Sequence, residues 1–119
     1  MPLTIDELVV YVPSQDFLLS QRFYCALGFS LTDGWDGTKD CRLGSAVFRL
    51  QNYYKKDWAE NFMMKLQVDD LEAWHAHAKD VINNYDFAHA RYDEKIDLAG
   101  DTKVFHVWDP CGVLLIFLD

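Results

Sequence analysis

No stretch of these 119 residues approaches the roughly 20 consecutive apolar residues that a bilayer-spanning helix needs, which excludes a membrane-spanning reading. Basic residues are scarce: 11 Lys and Arg stand against 19 Asp and Glu, a net charge of −8. A phosphate-binding surface needs clustered cations, so nucleic acid is excluded as a partner. Lys55-Lys56 is the one basic doublet, and it reads as a solvated loop. Cysteine is limited to Cys25, Cys41 and Cys111, an odd number without metal-ligand spacing. That pattern fits reduced thiols in a cytosolic protein. The opening Met1-Pro2-Leu3-Thr4-Ile5-Asp6 carries neither a basic segment nor an apolar core of a secretory signal, so the cytoplasm is the expected location. There is no Ser/His/Asp or Cys/His signature, and no glycine-rich phosphate loop, so no nucleophile is evident.

Half the residues are apolar and 15% are aromatic, enough for one folded domain with a modest core. Thr4 to Val12 alternates and ends in a β-branched run, which predicts a strand. Ser14 or Asp16 can cap the helix that follows, and Gly28 sits where a helix-ending glycine belongs. Phe29 to Thr32 reads as a strand, Asp33 to Gly37 as a turn-rich loop, and Cys41 to Leu50 as one or two strands around Gly44. Gln51 to Asn61 shows no period and reads as a loop. The pattern then restarts. Phe62 to Val68 predicts a strand, and Asp69 or Asp70 caps a helix from Leu71 to about Ile82. Phe87 to Ile96 predicts a strand with an irregular tail, and Asp97 to Asp101 a turn. Val104–Trp108 and Val113–Leu118 form a hairpin around Asp109-Pro110-Cys111-Gly112. The order β-α-β-β-β thus occurs twice, a repeat of elements rather than of residues.

Two phrases carry a family likeness. Ser20-Gln21-Arg22-Phe23-Tyr24-Cys25-Ala26-Leu27-Gly28-Phe29 is a helix ending at glycine. Phe105 to Phe117, through Asp109-Pro110-Cys111-Gly112, is strand, tight turn, strand. With Val68-Asp69-Asp70-Leu71-Glu72-Ala73-Trp74 between them, they resemble the vicinal-oxygen-chelate superfamily of glyoxalase I, extradiol dioxygenases and bleomycin-resistance proteins. The likeness is to the bleomycin-resistance group above all. It implies an α+β fold of two βαβββ modules, residues 1–52 and 61–119, whose half-barrel sheets complete a cup in a homodimer. It also implies where metal-dependent members keep their ligands. Those positions here hold Glu7, Met63 and Ile116. A divalent ion needs several oxygen or nitrogen donors, which Met and Ile do not supply. The expectation is therefore a metal-independent protein without a cofactor that sequesters an organic small molecule.

The candidate ligand-binding residues follow from the cup. Glu7 shares a strand face with Val9 and Tyr11, and either selects a cationic ligand or pairs with Lys65, which shares a face with Met63. His106 and Trp108 lie on one face of the penultimate strand. His106 can hydrogen-bond a ligand or relay a proton. Trp35 and Trp58 fall in loops, where a large aromatic packs on a ligand or at an interface. Trp35 beside Asp33 and Asp36 would suit a planar cation. Phe48 and Ile116 complete the expected walls. His75 and His77, two apart on a helix, read as surface residues. The competing reading is a glyoxalase- or dioxygenase-type enzyme with a relocated metal site, in which His106 and Glu7 serve as ligands or as an acid/base pair. A third is a domain that merely senses a ligand.

Overall fold

A computed structural model describes residues 2–119. Asp16 accepts the Leu19 N–H at 3.1 Å and starts α1 (Phe17–Leu27). Gly28 ends it with φ +121°, donating back to Tyr24 and Cys25, a conformation that a side chain would oppose. Asp70 caps α3 (Leu71–Asn84) in the same way, accepting the Ala73 N–H at 3.0 Å. Between the two helices lies the short α2 (Lys56–Glu60). That segment reads as loop in the sequence because five residues span too few turns to show a period.

Two sheets carry the helices. The first has the order β1-β4-β3-β2, from β1 (Tyr11–Pro13), β2 (Ser30–Asp33), β3 (Lys39–Leu43) and β4 (Ala46–Gln51). The second runs β5-β9-β8-β6, from β5 (Met63–Gln67), β6 (Arg91–Tyr92), β8 (Thr102–Trp108) and β9 (Leu114–Leu118). A further strand, β7 (Asp97–Ala99), pairs with β8 beyond the end of β6. Each sheet lays its first strand parallel to its last, β1 on β4 and β5 on β9, and the other pairs are antiparallel. The architecture is α+β, with the two halves built on one plan.

Two expected strands and one expected turn change. Thr4 to Val12 yields only Tyr11–Pro13. Residues 4–9 have no strand partner among the described residues, Val10 only accepts the Arg49 N–H at 2.8 Å, and Leu3, Ile5 and Leu8 stand 99%, 85% and 79% exposed. Alternation alone cannot supply the neighbour a strand hydrogen-bonds to. The expected strand from Phe87 to Ile96 shrinks to Arg91–Tyr92, preceded by a turn in which Ala88 has φ +55°. The expected turn at Asp97–Asp101 contains β7, which folds back on β8 through Gly100 at φ +67°.

One face of each sheet packs on the helices around a shared core. Tyr24 contacts Phe23, Phe29 and Phe48 edge-on, with centroids 4.8–5.8 Å apart. Phe105 and Phe117, cross-strand partners, stack at 5.0 Å, and Trp74 covers Phe117 at 5.1 Å. Under the β8–β9 turn the carboxylate of Asp109 is fully buried. It accepts the Tyr24 hydroxyl at 2.7 Å and the N–H groups of Cys111 and Val113 at 2.9 and 3.0 Å. This hydrogen bond ties α1 of the first half to the closing turn of the second. Burial raises the Asp109 pKa despite those donors, and it raises that of Tyr24 further. Burial likewise pushes the Cys41 and Cys111 thiols up to about 12, so neither is a thiolate nucleophile.

Candidate ligand-binding site

Strand alternation divides the second sheet. Phe105, Val107, Leu115 and Phe117 point into the core, and their neighbours point to the opposite, open face. The register orders that face into rows. Met63, Leu114, Trp108 and Arg91 form one. Lys65, Ile116 and His106 form the next, and Gln67, Leu118 and Val104 the third. Leu114, Ile116, Leu118 and Val104 give a half-exposed aliphatic floor. No element among the described residues covers it.

The predicted Met63, Lys65, His106, Trp108 and Ile116 therefore share one surface. The other candidates do not join it. Phe48 is a correction: it is buried, 4.8 Å from the Tyr24 ring, because β4 turns its even-numbered positions toward α1. Trp58 sits on α2, half-buried between Tyr53 and Phe62 at 6.3 and 6.2 Å. Trp35 is 72% exposed on a one-turn 3-10 helix (Trp35–Gly37) at the β2–β3 connection of the first sheet. Glu7 is a second correction: its partner is Arg42 rather than Lys65. The guanidinium donates to both carboxylate oxygens, at 2.9 and 3.0 Å, and that pair holds the Glu7 pKa down. His75 and His77 are half-buried and donate to the carbonyls of Asp93 and Leu27 at 2.8 and 3.0 Å, so neither is a free surface imidazole.

The open face of the first sheet is a charged ladder. Tyr11, Arg49 and Asp40 are register partners. Arg49 donates to both oxygens of Asp40, at 2.7 and 3.2 Å, and to the Tyr11 hydroxyl at 3.2 Å. Those bonds hold Asp40 below the usual carboxylate range.

Two residues that the sequence reading missed complete the second face. Asp93 accepts both the backbone N–H of His106, at 3.0 Å, and its Nδ1–H, at 2.7 Å. That bond orients the ring and leaves Nε2 without a partner among the described residues. Arg91 lays its guanidinium over the Trp108 indole, 3.7 Å from the centroid. Arg91 and Asp93 alternate about Tyr92, and that period was the available signal. The short strand that carries Arg91 and ends just before Asp93 hid inside a longer expected one.

Where this face meets the β8–β9 turn, a cleft of about 450 Å3 opens among Trp108, Arg91, His89, Tyr54, Glu60 and Gly112. A larger groove, about 630 Å3, runs from the Gly44 turn past Leu43 to Asp70 and Trp74. It reaches the helix side of the sheets and shares Lys65 and Gln67 with the open face, whereas the smaller cleft adjoins the Trp108 and Arg91 end of that face.

The residues at the family's metal positions do not fit a divalent ion. Glu7 is committed to Arg42 on the first sheet, while Met63 and Ile116 on the second offer thioether and alkyl groups. Among the described residues no group of three His, Cys, Asp or Glu side chains is arranged to hold a metal. Glu7, on the segment before β1, and His106, on the second sheet, are each bound to another residue. Among the described residues no helix is long and apolar enough to cross a membrane.

No family model and no curated protein matches the sequence. Solved structures do match. The chain is similar to a bleomycin-binding protein complexed with bleomycin, at 24% identity over 97% of this chain and 98% of that one, with a TM-score of 0.78. It is similar to the bleomycin-binding protein from bleomycin-producing Streptomyces verticillus complexed with copper(II)-bleomycin, at 19% identity over 96% and 97%, with a TM-score of 0.76. It is also similar to lactoylglutathione lyase from Agrobacterium tumefaciens, at 10% identity over 97% and 94%, with a TM-score of 0.66. With its paired βαβββ halves and these likenesses, the chain has the vicinal-oxygen-chelate fold.

Proposed function

We propose that this protein sequesters an organic small molecule, metal-independently, in a cup formed between two copies of the chain. The observation that carries this reading is the open face of the second sheet. An aliphatic floor is bordered by Trp108, Lys65 and His106 and has no covering element among the described residues, and the family's metal positions beside it lack donors. An uncovered apolar floor with a few convergent polar groups is the makeup of a small-molecule site that is still missing a wall. The similar structures include bleomycin-binding proteins, which supports binding rather than turnover. Trp35, at the β2–β3 connection of the first sheet, and Glu7, held against that sheet by Arg42, become cup residues if that sheet of a second copy faces this floor. The exposed Leu3, Ile5 and Leu8, carried on a segment without a strand partner, support such a pairing. Trp58 bears on the site only through the α2 segment that also carries Glu60.

Elemental mass spectrometry of the native protein, purified without chelators or metal-affinity resin, tests the metal-independent reading. The expected content is below about a tenth of an ion per subunit. A content near one ion per subunit would overturn it in favour of a lyase or oxygenase with a relocated metal site.

A further inference from the structure

The net charge of −8 invites a cationic ligand, but the charges left over on the open faces have the other sign. On the first sheet Glu7 is spent on Arg42 and Asp40 on Arg49. On the second, Asp93 is hydrogen-bonded to the His106 ring and backbone, and the two cations Lys65 and Arg91 outnumber it. Lys65 and Arg91 have no carboxylate within ion-pair distance among the described residues. Asp97 shares the face, but it lies opposite Val104, two residues and so about 7 Å along β8 from His106, on the side away from Arg91. Two carboxylates stand near Arg91 without pairing with it: Asp93, two residues along the chain and bonded to His106, and Glu60, which lines the same cleft beside Gly112.

Arg91 is moreover held in a receptor geometry. Stacked on Trp108, the guanidinium already occupies the indole face that a planar cation would take. Its N–H edges remain free to donate in parallel to a carboxylate, sulfonate or phosphate. Pre-ordering by the indole lowers the entropy cost of that bond. Across Leu114 and Ile116, Lys65 stands ready for a second negative or acceptor group.

We propose that the site takes an anionic aromatic ligand, its acid group on the Arg91 fork and its ring over the Leu114–Ile116 floor. This rests on reading the open face as a small-molecule site. It reverses the sign of ligand that net charge favours, because long-range field and local contacts are different quantities.

A matched pair of probes tests it by titration calorimetry on the full chain: 2-naphthoate and (2-naphthylmethyl)ammonium, one ring with opposite charges. Naphthoate is expected to bind at least about tenfold more tightly. Arg91→Gln should abolish that preference and Arg91→Lys should retain part of it, with melting temperatures showing that each variant is folded. Glu60→Gln, which removes the opposing carboxylate without touching the receptor, should tighten naphthoate binding. Equal or tighter binding of the ammonium probe would overturn the charge assignment while leaving small-molecule binding in place. A preference that survives Arg91→Gln would overturn the role of Arg91. Failure of both probes to bind at millimolar concentration would overturn the small-molecule reading itself.

Discussion

Asp109 shows how a single side chain can hold a fold together without serving its chemistry. It receives the hydroxyl of Tyr24 and the N–H groups of Cys111 and Val113, with no exposure to water. Tyr24→Phe removes one donor and leaves a buried carboxylate oxygen unpaired. It is expected to cost about 1–3 kcal/mol in urea denaturation, and an unchanged midpoint would mean that water replaces the hydroxyl. Trp35, by contrast, is 72% exposed. Trp35→Ala should change stability by less than about 0.5 kcal/mol. A larger loss would make Trp35 a packing residue and remove it from the cup. All three residues were visible in the sequence, Tyr24 and Asp109 within the family phrases and Trp35 in its loop. The carboxylate–phenol bond between positions 24 and 109 was not, because nothing local to either position encodes so distant a partner.

At the scale of elements, the helices were legible because their signals are local. Asp16 and Asp70 cap, Gly28 terminates, and the apolar spacing fits a turn of 3.6 residues. The strands at the margins were not, since a strand exists only through its neighbour. The same contrast governs pH dependence. Arg49 lowers the pKa of Asp40 across the β3–β4 ladder. Its contribution to stability is therefore present above the unfolded carboxylate pKa of about 3.9 and fades as pH falls through the lower folded value. Asp109 has the opposite sign: burial raises its pKa, so its contribution is greatest below the unfolded value and is lost as pH rises through the folded one. Asp40→Asn is accordingly expected to flatten the acid limb of a stability–pH profile below about pH 4. Asp109→Asn should leave that limb in place. Equal acid limbs for Asp40→Asn and the unaltered protein would show that the Arg49 pair contributes nothing in solution.

The whole molecule presents two open sheet faces and an N-terminal segment without a strand partner, all beyond the reach of its own helices. If a second copy closes the cup, sedimentation should give twice the chain mass at micromolar concentration. Leu8→Asp, at a side chain 79% exposed, should shift that mass toward the single chain without loss of helical circular dichroism. A chain that sediments as a monomer regardless of concentration would overturn the shared cup, and the open face would then have to bind ligand unaided.

Composition, period and phrase by themselves indicated the α+β class, the repeated βαβββ order, a cap for each helix from two candidates, and the faces shared within a strand, Met63 with Lys65 and His106 with Trp108. Each of these follows from spacing along one strand or helix, a property the chain carries before it folds. Tertiary structure alone decided that Phe48 belongs to the core, that Glu7 pairs with Arg42, that Asp93 fixes the His106 ring, and that Arg91 lies on Trp108. Those facts set the sign of the charge left on the face. They depend on which strands lie side by side, and pairing between strands is settled only when the sheet closes around its core.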